Sequence, residues 1–205
     1  MNRIALVLLL LAFPVLSAAQ SDERIVKPEI RVGDSWTYRS TNALAPGTHE
    51  HESRVSYADS KVSLVVSTRK SDGMEFDSSW TPEWNAVTSY AGVMYRPHAG
   101  VFRFPLRTGD KYEVNFEVLR PRVNTIATTV SGIARVVGWD TVDVPAGKFR
   151  AIRVEVEGVY RESDGGSYQQ HAILWYVPEV NRWAKFLVVN PRFSGSEELL
   201  EYKLQ

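Results

Sequence analysis

The chain has 205 residues, 24 basic against 24 acidic, and no cysteine. Without cysteine there is no thiol catalysis, zinc–thiolate or iron–sulfur chemistry, and no disulfide. Balanced charge offers no field for nucleic acid, and the one basic cluster, Arg120-Pro121-Arg122, is too small to make such a surface.

Residues 1–19 carry the parts of a cleavable secretory signal. Arg3 precedes an apolar run from Ile4 to Leu16, and Ser17 and Ala19 are small residues flanking a cut after Ala19. The run is shorter than the about 20 apolar residues of a membrane-spanning helix, and Pro14 interrupts it. No cysteine follows for a lipid anchor. The expectation is an exported protein of a Gram-negative bacterium, periplasmic or secreted, with one domain over 20–205 and a loosely ordered lead-in at 20–29.

From there the pattern has period two, the mark of half-buried strands. Trp36 and Tyr38 alternate with Thr37 and Arg39. Val62, Leu64, Val66 and Thr68 are expected inward, with Lys61, Ser63, Ser67 and Arg69 outward. Trp80, Pro82 and Trp84 lie in a stretch that reads as a loop carrying an exposed aromatic pair. Phe102 and Phe104 flank Arg103. Tyr112, Val114, Phe116 and Val118 oppose Glu113, Asn115 and Glu117. Val144-Pro145-Ala146-Gly147 is a hairpin turn, with proline suited to the first central position and glycine free to take positive φ. Ile152, Val154, Val156 and Tyr160 share the next face. Ala172–Val177 and Phe186–Val189 are apolar on both parities, which predicts strands covered on both sides. Asn181 between them suits a left-handed turn.

No long stretch has helical period. The expected fold is all-β or β-dominated, with little helix: a single antiparallel meander of about 10–13 strands. Since open twisted sheets rarely exceed about ten strands, it should curve into a half-barrel or barrel.

Several segments together carry a family resemblance. They are Val32-Gly33-Asp34-x-Trp36-x-Tyr38, Phe104-Pro105-Leu106-x-x-Gly109, Thr141-Val142-Asp143-Val144-Pro145-Ala146-Gly147-Lys148-Phe149-Arg150-Ala151, and Trp175-Tyr176-x-Pro178-x-Val180 with Lys185. The chain resembles the TapB-like group, exported bacterial domains of unknown function, over most of residues 30–205. Asn181 stands where that group often has glycine. The resemblance implies a fold similar to the curved half-barrel of periplasmic lipoprotein carriers such as LolA. The shared residues are turn and core residues, so they imply a scaffold and no chemistry.

Candidate chemistry is sparse. His49 and His51 share one face of a strand and are the only pair with metal-like spacing. They lack the partners of a cupin site, and the reading is no metal and no cofactor. No Gly-x-Ser-x-Gly elbow is present, so no catalytic residue is assigned. The carboxylates Glu113, Glu117, Asp143 and Glu155 read as solvation. The doubly apolar strands point to a non-enzymatic binding or carrier module for an apolar small molecule or lipid of the cell envelope. Trp80, Trp84, Leu174, Tyr176 and Leu187 are its candidate ligand-binding residues. The alternatives are an envelope assembly protein that binds a protein partner and an envelope-polymer hydrolase. An eight-stranded outer-membrane barrel fits less well, because the turns are short, aromatic girdles are weak and the chain ends Tyr202-Lys203-Leu204-Gln205.

Overall fold

The computed structural model describes residues 23–43, 45–89, 92–120 and 127–205. The signal expected at 1–19 and Pro121-Arg122 lie outside the described residues. Twelve antiparallel strands form one closed barrel. They are β1 (Ser35–Asn42), β2 (Ala45–Ala58), β3 (Ser63–Arg69), β4 (Glu75–Trp80), β5 (Ala86–Ser89) and β6 (Val93–Arg96). Then come β7 (Lys111–Leu119), β8 (Ala127–Val144), β9 (Gly147–Glu162), β10 (Ser167–Val177), β11 (Arg182–Asn190) and β12 (Phe193–Lys203). Each strand pairs with its sequence neighbours, and β1 pairs with β12 over Ser35–Asn42. Of the two shapes the sequence leaves open, the closed one forms, and closure removes both sheet edges. A 3-10 turn at Pro178–Val180 joins β10 to β11.

Buried Asp34 locks the seam. Its carboxylate accepts the backbone N–H of Arg31 at 2.9 Å and of Gln205 at 2.9 Å, tying the start of β1 to the chain's end. This gives the Gly33-Asp34 motif a structural role.

The antiparallel order puts the β2–β3, β4–β5, β6–β7, β8–β9 and β10–β11 connections at one end, which is packed solid. Phe102 and Leu106 of the β6–β7 connection are buried there. The Asn85 side chain pairs with both backbone groups of Phe102, donating to its carbonyl and accepting its N–H, each at 2.8 Å. The hairpin β8–β9 runs past its neighbours and folds beneath the barrel, where the Ala146 N–H donates to Leu199 O at 3.0 Å. Val142, Val144 and Phe149 are buried on its inner face, and Gly147 at its tip has φ +140, a region closed to most side chains. A bulge at Val137 bends β8 so that the hairpin can turn inward.

Most alternation predicted from sequence holds. Tyr112, Val114, Phe116 and Val118 are buried, and Ile152, Val154, Val156 and Tyr160 face inward. β3 is reversed. Ser63 and Val65 are buried and Ser67 and Arg69 line the lumen, while Leu64 is 43% exposed on the outside. This wall of the lumen is polar, so the rule that the apolar face points inward fails locally.

The doubly apolar strands are not covered by a second layer. Ala172, Leu174 and Tyr176 point inward; Ile173 and Trp175 are half-buried on the exterior. Long neighbours shield them, as where Trp175 Nε1 donates to Asp140 Oδ2 at 3.1 Å.

Candidate functional site

Above the packed end the barrel is hollow, in two adjoining lobes. The apolar lobe is a cavity of about 280 Å³, near the lower end of the roughly 300–1,000 Å³ typical of ligand sites. Its walls include Trp84, Val114, Phe116, Leu174 and Phe186. Gly132 and Gly158, paired across β8 and β9, leave bare backbone in the same wall. A Cβ on Gly132 would lie 2.5 Å from Glu157 O, so the two strands approach too closely for any side chain there. Gln170 and Tyr160 bring polar atoms to this lobe, but the Gln170 amide donates to the Tyr160 hydroxyl at 2.7 Å, leaving that pair satisfied.

The polar lobe is about 470 Å³ and adjoins the first at Trp80, Trp183 and Glu197, which line both. Ser40, His51, Ser53 and Ser67 line it, and it reaches the surface beside exposed His49. The hydroxyls of Ser53 and Ser67 bond to each other at 2.8 Å. His51 stacks on Tyr38 with ring centroids 5.8 Å apart. Burial holds its pKa below the ordinary histidine value; Arg182 adds to this and Glu197 opposes it.

Arg182 is the unusual residue of this lobe. It is 3% exposed, and its guanidinium lies 4.4 Å from the Trp183 ring centroid, 4.7 Å from Trp84 and 5.0 Å from Trp36. Tyr38 and Trp80 complete the surround at 5.4 and 5.5 Å. Four of the chain's six tryptophans therefore gather around one cation. Three of the five surrounding side chains have their polar atoms engaged with the backbone on either side of it. Trp36 Nε1 donates to Val180 O at 2.7 Å, Trp84 Nε1 to Asn181 O at 2.6 Å, and the Tyr38 hydroxyl to Trp183 O at 2.7 Å. Asn181 has φ +56, as its left-handed position predicts, and this turn aims Arg182 inward.

The residues singled out from sequence separate into three groups. Trp80, Trp84 and Leu174 meet at the lumen. Trp84 is 1% exposed, so the pair with Trp80 is not the exposed one expected; the loop does place it, but packed under the barrel with edge-to-face contact to Trp80. Tyr176 sits in the packed end, its ring against Phe102 and Phe104. Leu187 lies on the exterior opposite Ile173. His49 and His51 share a face, as their spacing requires, and that face is the polar lobe rather than bulk solvent. No group of three or more metal-binding side chains occurs among the described residues. The scattered carboxylates are not gathered: Asp143 pairs with Lys148 and Glu155 with Arg153, while Glu113 and Glu117 stay exposed on β7.

Sequence reasoning missed Arg182, Glu197, Trp183 as a lumen residue, and the glycine pair. The glycines had a signal, since each interrupts an apolar alternation at an inward position. Arg182 had none, because an arginine at a strand start reads as solvated.

Comparison with solved structures finds the same fold in other bacterial proteins. One similar structure is a "putative lipoprotein" of Parabacteroides distasonis, at 12% identity and TM-score 0.56, covering 88% of this chain and 100% of that one. Another is a "putative exported protein with YmcC-like fold" of Bacteroides fragilis, at 15% identity and TM-score 0.56 with the same coverage. The hypothetical lipoprotein YmcC of Escherichia coli matches at 8% identity and TM-score 0.50, covering 84% of this chain and 86% of that one. At these identities the likeness is one of fold alone. No family model and no curated protein matches the sequence, so the TapB-like likeness stands as a resemblance in turn and core residues.

Proposed function

We propose that this is a non-enzymatic binding protein of the bacterial cell envelope that holds an elongated apolar ligand, of the acyl-chain class, in its barrel lumen. The observation that carries this reading is the apolar lobe, a cavity walled by Val114, Phe116, Leu174 and Phe186 inside the barrel. Such a cavity is where a protein of this size takes an apolar small molecule. The half-barrel carriers implied by resemblance share the principle of a curved sheet around a ligand, and the exported fold neighbours support an envelope location.

The ligand site is inside the barrel rather than on it. The exterior carries ion pairs such as Lys70–Glu52 at 3.0 Å, Arg135–Glu157 at 2.7 Å and Arg192–Glu162 at 2.8 Å. A membrane-spanning barrel needs an outward apolar band roughly 25 Å tall. Charges distributed around the strands leave no such band, which supports a water-exposed exterior.

Trp80, Trp84 and Trp183 line the lumen, so tryptophan fluorescence reports its occupancy. A bromine-substituted decyl chain should quench that fluorescence saturably at one chain per protein. Ala172→Phe, which fills the apolar lobe, should abolish the quenching with the circular dichroism of the fold preserved. Linear, non-saturating quenching that is the same in both proteins would rule the reading out.

A further inference from the structure

Arg182 has five side-chain N–H donors and, among the described residues, no hydrogen-bond acceptor for them. Its Nε and Nη1 are enclosed without hydrogen-bond partners. Acceptors are close by, but others have taken them: Val180 O, Asn181 O and Trp183 O receive Trp36, Trp84 and Tyr38. Glu197, which lines both lobes, accepts the Trp183 indole N–H at 3.3 Å and forms no ion pair within 4.0 Å among the described residues. A buried cation with unused donors is costly unless something completes it. The aromatic rings hold the guanidinium in place and favour its charge, yet their faces are poor substitutes for hydrogen-bond acceptors. The polar lobe, which Arg182 lines, has room for one.

We propose that the polar lobe is an anion-recognition site, in which Arg182 receives the carboxylate or phosphate head group of a single-chain amphiphile. This deepens the binding reading and rests on it, since the chain of that amphiphile occupies the apolar lobe. The two lobes adjoin at Trp80, Trp183 and Glu197, so head and chain can lie in one continuous lumen. Planar, forked guanidinium donors match both carboxylate and phosphate oxygens. Glu197 faces the same space and opposes an incoming anion, which limits the affinity and leaves it adjustable by one substitution.

The test compares three ligands with the same ten-carbon chain: decanol, decanoate and decyl phosphate, titrated at pH 8 into the wild type, Arg182→Met and Glu197→Gln. Wild type should bind at least one of the two anions about tenfold or more tighter than decanol, the scale of one charge-assisted hydrogen bond. The tighter of the two identifies the head group. Arg182→Met should lose that preference while still binding decanol. Glu197→Gln should increase the ratio of anion to decanol affinity; this variant keeps the Arg182 guanidinium and keeps the test meaningful if Arg182→Met does not fold. Equal binding of all three ligands by the wild type would overturn anion recognition and leave the apolar-cavity reading standing. Failure of all three to bind would overturn both.

Discussion

At the scale of single residues, Arg182 sets a stability cost against a use. An unpartnered buried ion costs several kcal/mol, and each unpaired N–H adds to it, whereas a desolvated cation–π contact returns about 2 kcal/mol. The five rings share one charge, so their contributions do not simply add. Arg182→Met keeps the volume and gives the rings a polarizable partner. The ligand-free variant should therefore be more stable than wild type by about 1 kcal/mol or more, read from urea unfolding midpoints. A clear loss of stability would make Arg182 a structural keystone instead. His51 gives a second residue-level expectation. Its pKa is lowered in the fold, by burial first and by Arg182, against Glu197. As pH falls below the ordinary histidine value of about 6.5 the unfolded chain binds the proton first. Stability should then decline from about pH 7 downward until His51 itself protonates. Carboxylates whose pKa is lowered by cationic or hydrogen-bonding partners, such as Glu52 and Glu157, contribute only below about 4.5. His51→Gln should flatten the upper part of the profile, measured as melting temperature against pH; an unchanged slope would contradict this.

At the scale of strands and turns, the glycine pair between β8 and β9 separates two effects. Gly132→Ala puts a methyl group 2.5 Å from Glu157 O, backbone that cannot yield without shifting a strand. It should cost about 2 kcal/mol or more of unfolding free energy. Gly158→Ala meets only ordinary contacts at 3.5 Å or beyond and should cost less than about 1 kcal/mol while narrowing the lumen. Equal costs in denaturant titration would mean that the close approach is not real. Strands were the legible part of the sequence wherever a wall of the barrel is apolar inside and charged outside, as in β7 and β9. They were misread where the inner wall is polar: β3 presents Ser67 and Arg69 to the lumen and Leu64 to solvent. Period two gives the two faces of a strand but not which is inside. The doubly apolar β10 suggested a second layer, and the real arrangement is a single sheet whose outer apolar residues are shielded by long neighbours such as Arg153 and Lys185. The candidate site was half legible. Trp80, Trp84, Leu174 and the shared face of His49 and His51 came from local pattern, while Arg182 and Glu197 reach the same lobe because the β10–β11 turn aims Arg182 inward and β12 pairs with β11.

For the whole molecule, the barrel divides into a packed end and a hollow end. The motifs that resemble the TapB-like group, Gly33-Asp34, Val144-Pro145-Ala146-Gly147 and Pro178-x-Val180, fall at the seam and the packed end. They hold the base, and the first of them also supplies Trp36 and Tyr38 to the surround of Arg182; Arg182, Glu197 and the glycine pair lie outside the motifs. A shared scaffold can therefore carry different ligands on the same base. The most direct check of the lumen as a ligand site is the intact mass of protein recovered from a periplasm, taken under native conditions and again after organic extraction. The account predicts a single stoichiometric adduct that extraction removes and that Ala172→Phe does not carry. An adduct-free native mass for the wild type, with the mass unchanged by extraction, would contradict it.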